Sequence, residues 1–149
     1  MQTLIKPLEG LAELLDIRKQ LQKQAGILQI AGCVDSQKTH MMYALSDGFR
    51  YKIIACSGEL KAKQIYEEYK FLDEHTYLYP AKDLLFYQAD LRSKELLKER
   101  MEVVQALLEE EQATVVTSFD GFMDSLLPLE EVKKRSISIR LGDTVDLEE

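Results

Sequence analysis

A three-layer α/β fold, a mostly parallel sheet with helices on both faces, is predicted by two features of the sequence. Short apolar runs of strand length alternate with amphipathic stretches of ten or more residues. A helix that long between two strands is a crossover. It returns the chain to the same end of the sheet, which makes the strands parallel. The scale is set by length: 149 residues suit one domain with one sizeable core, and no repeat or low-complexity linker divides residues 1–149.

The elements follow in order. Leu11, Leu14, Ile17 and Leu21 recur every three or four positions and predict a helix between Leu8 and Leu21. Residues 26–33, GILQIAGC, read as a buried strand. A helix then starts near Ser36, capped by Asp35 or Ser36, with Met41, Met42 and Leu45 on its apolar side and Gly48 near its end. KIIAC, residues 52–56, is the second strand. A helix from near Ser57 would bury Ala62, Ile65, Tyr66, Tyr69 and Leu72. TYLYPA is the third strand, stopped by Pro80, which has no N–H for the ladder. Lys82 to Leu91 is the least regular stretch. A long helix from Ser93 to Glu111 would face the core with Leu97, Met101, Val104 and Leu108. ATVVTS is the fourth strand, FDGFMDSLL a short helix ended by Pro128, and SISIRL the fifth strand. In the closing DLEE, Asp146 and Glu149 stand at the spacing of a capping box, which starts a helix. This predicts that the chain is a fragment of a longer polypeptide.

Composition removes several classes of function. Hydrophobic residues make up 46% and charged ones 30%, ordinary for a soluble globular protein, and no apolar run reaches the roughly 18 residues of a membrane span. The opening MQTLIKPLEG lacks the apolar stretch of a secretory signal, so a cytoplasmic location and no membrane partner are expected. Cys33 and Cys56 have neither C-x-x-C spacing nor a nearby His, which argues against a zinc site or disulfide framework and for reduced, buried strand-end thiols. His40 and His75 lack the spacing of paired metal ligands, and no Ser-His-Asp or Cys-His grouping can be assembled, so neither a metal site nor catalytic residues are expected. A net charge of −7 opposes a broad phosphate-tracking surface. Tyr77, Tyr79 and Tyr87 could stack bases. Without interleaved Arg and Lys they read as packing. Glu109 to Glu111 read as a solvated helix end, and the charges between Lys94 and Glu102 as an exposed helix face.

One stretch carries a specific chemistry. In GCVDSQKT, residues 32–39, Gly32, Lys38 and Thr39 match a phosphate-binding loop, G-x-x-x-x-G-K-[ST], in type and spacing. Such a loop works because backbone N–H groups and a helix N-terminus point at phosphate, Lys reaches the terminal phosphates and the hydroxyl holds Mg²⁺. Two side chains oppose it. Gln37 replaces the glycine that lets the backbone approach phosphate, and Asp35 puts a negative charge in the anion cradle. A hydrolysing site also needs an acidic residue at the end of a neighbouring strand, where ATVVTS ends in Thr117 and Ser118, with Asp120 displaced. The expectation is a vestigial site, with Gly32, Lys38 and Thr39 as its remnants. The alternatives are a working nucleotide site and, more weakly, a single-strand nucleic-acid binder.

The order of motifs is more specific than any one of them. GCVDSQKTHMMYAL, then YPAKD, ERMEVVQAL, VVTSFDGFM and IRLGDTVDLEE together resemble the N-terminal region of the bacterial transcription-repair coupling factor family, Mfd, which in turn resembles the first part of the excision-repair protein UvrB. The resemblance covers nearly the whole chain after about Leu8. It implies a P-loop helicase-like domain with a degenerate nucleotide site, with ATP, Mg²⁺ and translocation on double-stranded DNA belonging to a separate motor in the full-length protein. It also implies that the full protein displaces stalled RNA polymerase and recruits UvrA through a segment beyond this chain. This domain would then be a non-catalytic scaffold touching neighbouring domains, with no cofactor of its own.

Overall fold

The computed structural model describes residues 8, 10–23, 26–82, 90–126 and 128–136. Helices α1 (Ala12–Gln22) and α2 (Asp35–Leu45) precede β1 (Tyr51–Cys56), α3 (Glu59–Lys70), β2 (Thr76–Tyr79), α4 (Asp90–Glu109), β3 (Ala113–Ser118) and the shorter α5 (Phe119–Met123) and α6 (Leu129–Arg135). Both β1 and β2 pair in parallel with β3, giving the order β1-β3-β2. All six residues of β3 are buried, the signature of a central parallel strand covered on both faces.

The register decides which side chains share a face. Val116 lies opposite Ile54 and Leu78. Leu78 and Val116 form one core cluster with Ala62 and Ile65 of α3, joined by the half-buried Met42, Ile54, Cys56 and Tyr66. One residue along, Val115 and Tyr79 point the other way, into a second cluster with Val103 and the half-buried Tyr77 and Leu107. Helices therefore cover both faces, and the α/β architecture predicted from the alternation is present. Helix α3 buries Ala62, Ile65 and Tyr69 as predicted, with Tyr66 half-buried and Leu72 buried in the turn that follows it. Tyr69 is fully buried, bonds Ser46 through its hydroxyl at 2.8 Å and meets Tyr43 edge-on at 5.9 Å, which joins α2 to α3. Arg18 ties α1 to the end of α2 by donating from Nε and Nη2 to the Ala44 carbonyl, at 3.0 and 2.7 Å.

Four sequence expectations need correction. Residues 26–33 form no strand, and Ile27 is 103% and Ile30 42% exposed. An apolar run becomes a strand only when a neighbour shares its ladder, and among the described residues no strand pairs with it. The second helix begins at Asp35 with Val34, not Asp35 or Ser36, in the cap position. On α4, Leu97 and Met101 are 62% and 49% exposed, while Arg100, Val103, Val104 and Ala106 are buried. The short helix expected to run to Pro128 stops at Met123, with Asp124 already extended, and a further helix, α6, follows Pro128 with an acidic first turn and basic last turn that complement its dipole. Most of Lys82 to Leu91, Tyr87, nearly all of SISIRL and the Asp146–Glu149 cap lie outside the described residues. Among the described residues no helix is long and apolar enough to cross a membrane.

Candidate functional site

The loop of residues 32–39 stands at the end of the sheet where an open α/β fold places its ligands, beyond the carboxyl ends of the strands. Asp35, the first residue of α2, meets Lys61 in the first turn of α3 at 3.4 Å, and α3 follows β1 through Ser57 and Gly58 alone. Both helix starts therefore sit at that edge. Gly32 holds φ +86°, the left-handed conformation that suits glycine, so the backbone turns there as a phosphate loop would.

The Lys38 and Thr39 side chains, which in a phosphate loop meet phosphate and Mg²⁺, are both engaged within the chain. Lys38 Nζ lies 2.8 Å from Asp35, one helical turn back. Its hydrogen bond holds the Asp35 carboxyl below the ordinary range, helped by Lys61, and raises the Lys38 ammonium in return. The Thr39 hydroxyl is not in the loop at all. It is 2% exposed and donates to Glu68 of α3 at 2.6 Å. That bond, with a second from Gln64 at 3.0 Å, lowers the Glu68 pKa. Gln37 folds back so that its Oε1 accepts from the Val34 N–H at 3.3 Å. Glutamine at the third position of a helix caps its start in this way, which explains why it stands where a phosphate loop has glycine. Of Gly32, Lys38 and Thr39, the structure keeps the first two at the loop and turns the third into the α2–α3 joint.

The end of the adjacent strand is occupied in the same manner. Ser118 is fully buried, accepts from Gly121 N at 3.0 Å to cap α5, and donates its hydroxyl to Glu59. Glu59 also accepts from Ala81 N at 3.0 Å. A carboxylate belonging to the chain therefore occupies the α3 N-terminus, an anion-favouring position. Asp120 is exposed on α5. A hollow of about 410 Å³ beside the loop is lined by Leu8, Leu11, Cys33 and Met41 together with Ser36, Gln37 and His40, with no Lys or Arg to meet a triphosphate.

Groups that sequence reasoning missed lie at the opposite end of the sheet. A cavity of about 720 Å³ there includes Lys52, Asp73, His75 and Glu110 in its lining. Asp73 accepts from Lys52 at 2.9 Å, from Thr114 at 2.8 Å and from the His75 N–H at 3.1 Å. Glu110, expected to be solvated, accepts from the Tyr77 hydroxyl and shares a 2.8 Å hydrogen bond with His75 Nδ1. Burial, with Glu110 beside it, pushes the Tyr77 phenol up to about 12. Tyr79 packs under the Arg100 guanidinium, 4.1 Å from its ring centre, so both described tyrosines of the cluster are packing residues. Cys33 and Cys56 are free and half-buried, and among the described residues no group of three His, Cys, Asp or Glu could hold a metal ion.

The chain is similar over about half its length to transcription-repair-coupling factors. It is 25% identical over 76 residues to the one from Staphylococcus epidermidis, 51% of this chain and 6% of that protein. The Staphylococcus aureus protein is 25% identical over 81 residues, 54% of this chain and 7% of that one, and the Staphylococcus haemolyticus protein is 27% identical over 73 residues, 49% and 6%. The chain thus spans less than a tenth of the length of these relatives. No family model and no solved structure matches it.

Proposed function

We propose that the chain is a catalytically silent, UvrB-like domain of a transcription-repair coupling factor, with a P-loop helicase-like fold whose nucleotide site has become structural. In the full protein it would act as a scaffold, holding a neighbouring UvrA-recruiting module. ATP, Mg²⁺, double-stranded DNA and RNA polymerase would be engaged by the motor and other modules. The similarity to coupling factors supports the family. The silence rests on one observation: Lys38, Thr39 and Gln37 each spend their functional atom on a partner in this chain, Asp35, Glu68 and the Val34 N–H. Binding Mg·ATP would require breaking the ion pair and displacing the cap to deliver a ligand carrying several negative charges to Asp35.

Calorimetric titration of Mg·ATP into the natural chain should give no saturable heat. An Asp35→Gly, Gln37→Gly variant frees Lys38 and opens the first turn, and it should gain measurable binding. Saturable, Mg²⁺-dependent binding by the natural chain would overturn the silent reading in favour of a working nucleotide site.

A further inference from the structure

The short helix α5 is held more firmly than its length suggests, and what it displays is apolar. Gly121 sits against the carboxyl ends of two strands: a Cβ there would stand 2.5 Å from Thr117 Oγ1 of β3 and 3.2 Å from the Tyr79 carbonyl of β2. Only glycine permits that approach. Ser118 caps the first turn by accepting from Gly121 N at 3.0 Å. Asp124, just past the last turn, accepts from Arg100 Nη1 at 2.8 Å and from Lys82 N at 3.1 Å. The element is therefore fixed at both ends and in the middle.

Helical spacing decides what faces outward. With Gly121 against the sheet, Phe119, Phe122 and Met123 fall on the opposite side, one helical turn or less apart, and they are 59%, 53% and 66% exposed. Single exposed apolar residues are ordinary, but three large ones grouped on a rigid support mark a docking surface. Two are aromatic and already positioned, so a partner gains their burial without first ordering them. Charge narrows the partner. Asp120 is exposed beside them, while the Asp124 charge is taken up by Arg100. That carboxylate and a net charge of −7 disfavour nucleic acid and anionic lipid. Pairing of the face with itself would place both Asp120 carboxylates in one interface with no cation from α5 to meet them.

We infer that α5 is the docking face for another segment of the longer polypeptide, one outside residues 1–149 that carries large apolar side chains with a Lys or Arg at their edge. The inference rests on the coupling-factor reading above: the relatives are matched over 6% and 7% of their length, which leaves a scaffold most of a long chain to hold. It names the contact through which the holding is done. The contact lies at the carboxyl end of the sheet, where the silenced loop also stands.

Photo-cross-linking in the full-length protein tests this. With p-benzoylphenylalanine in place of Phe122, irradiation and peptide mass spectrometry should find one captured segment of the same polypeptide, outside residues 1–149, apolar and bearing Lys or Arg. Asp120→Asn should lower the yield about 2–5-fold, the worth of an exposed charge pair, while circular dichroism reports an intact fold. The same label in place of Phe71, 79% exposed at the far end of α3, should not capture that segment. Capture within residues 1–149, capture of a second copy or of another protein, a yield unchanged in Asp120→Asn, or no capture would each overturn the inference. The two readings fail separately. A natural protein no heavier than the 17.2 kDa of this chain would sink the coupling-factor reading, whereas a long protein with no capture sinks the docking face alone.

Discussion

Asp73 shows how much one side chain can be asked to hold. It and Lys52 are 9% and 13% exposed, with 2.9 Å between their charges. Burial alone would raise the Asp73 carboxyl, but the hydrogen bonds from Lys52 and Thr114 win and hold it below 3.8. Because the folded-state value is the lower one, the stabilisation is complete above the unfolded value near 3.8. It is lost as pH falls through the folded value, and acid unfolding should begin below about pH 4. Asp73→Ala leaves the half-buried Lys52 ammonium and the Thr114 hydroxyl without their acceptor and should cost about 1–3 kcal/mol in urea unfolding, whereas replacing both charged partners with apolar residues should cost less. Nothing local in the sequence announces this pair, because Lys52 and Asp73 belong to different elements and each reads as a surface charge. The Gly32, Lys38 and Thr39 pattern is the reverse case. Its spacing was legible, while the cost of Gln37 and Asp35 was legible only as an objection, and their actual use as cap and counter-ion needed the fold.

At the scale of elements, Arg100 links three of them. From α4 its Nη1 donates to the Pro80 carbonyl at 2.9 Å, after β2, and to Asp124 at 2.8 Å, after α5, while Nη2 reaches the Tyr79 hydroxyl. A planar fork makes these bonds together, and an ammonium cannot. Arg100→Lys should therefore lose about 1–3 kcal/mol in thermal or urea unfolding despite keeping the charge. The same residue explains why the buried face of α4 was misread. The three-and-four spacing exists, but it runs through Arg100, Val103, Val104 and Leu107, and a charged residue at its head hid the phase. Strands β1, β2 and β3 were legible because each is an Ile-, Val- or Tyr-bearing run between turn signals. Residues 26–33 show the limit of that signal, which reports an apolar run and not its ladder partner. Helix α6 could have been found from Pro128 followed by two glutamates and then three basic residues, a charge order that suits the dipole.

For the molecule as a whole, the α/β alternation was readable because it is a global rhythm that survives local errors of phase. Net charge acts at this scale too. At −7, with both described tyrosines of the cluster committed to packing, the chain should bind no labelled single-stranded oligonucleotide at low ionic strength; affinity that falls with added salt would restore that reading. The order β1-β3-β2 also dictates when the sheet can exist. Its middle strand is the last of the three to be made, so among the described residues neither β1 nor β2 has a ladder partner until Ser118 has left the ribosome. At about 5–20 residues per second, β1 waits several seconds during synthesis with its backbone unpaired. Over that interval the nascent chain presents Ile53 and Ile54 as an adhesive, which makes the pace of translation and early chaperone cover part of what determines its yield.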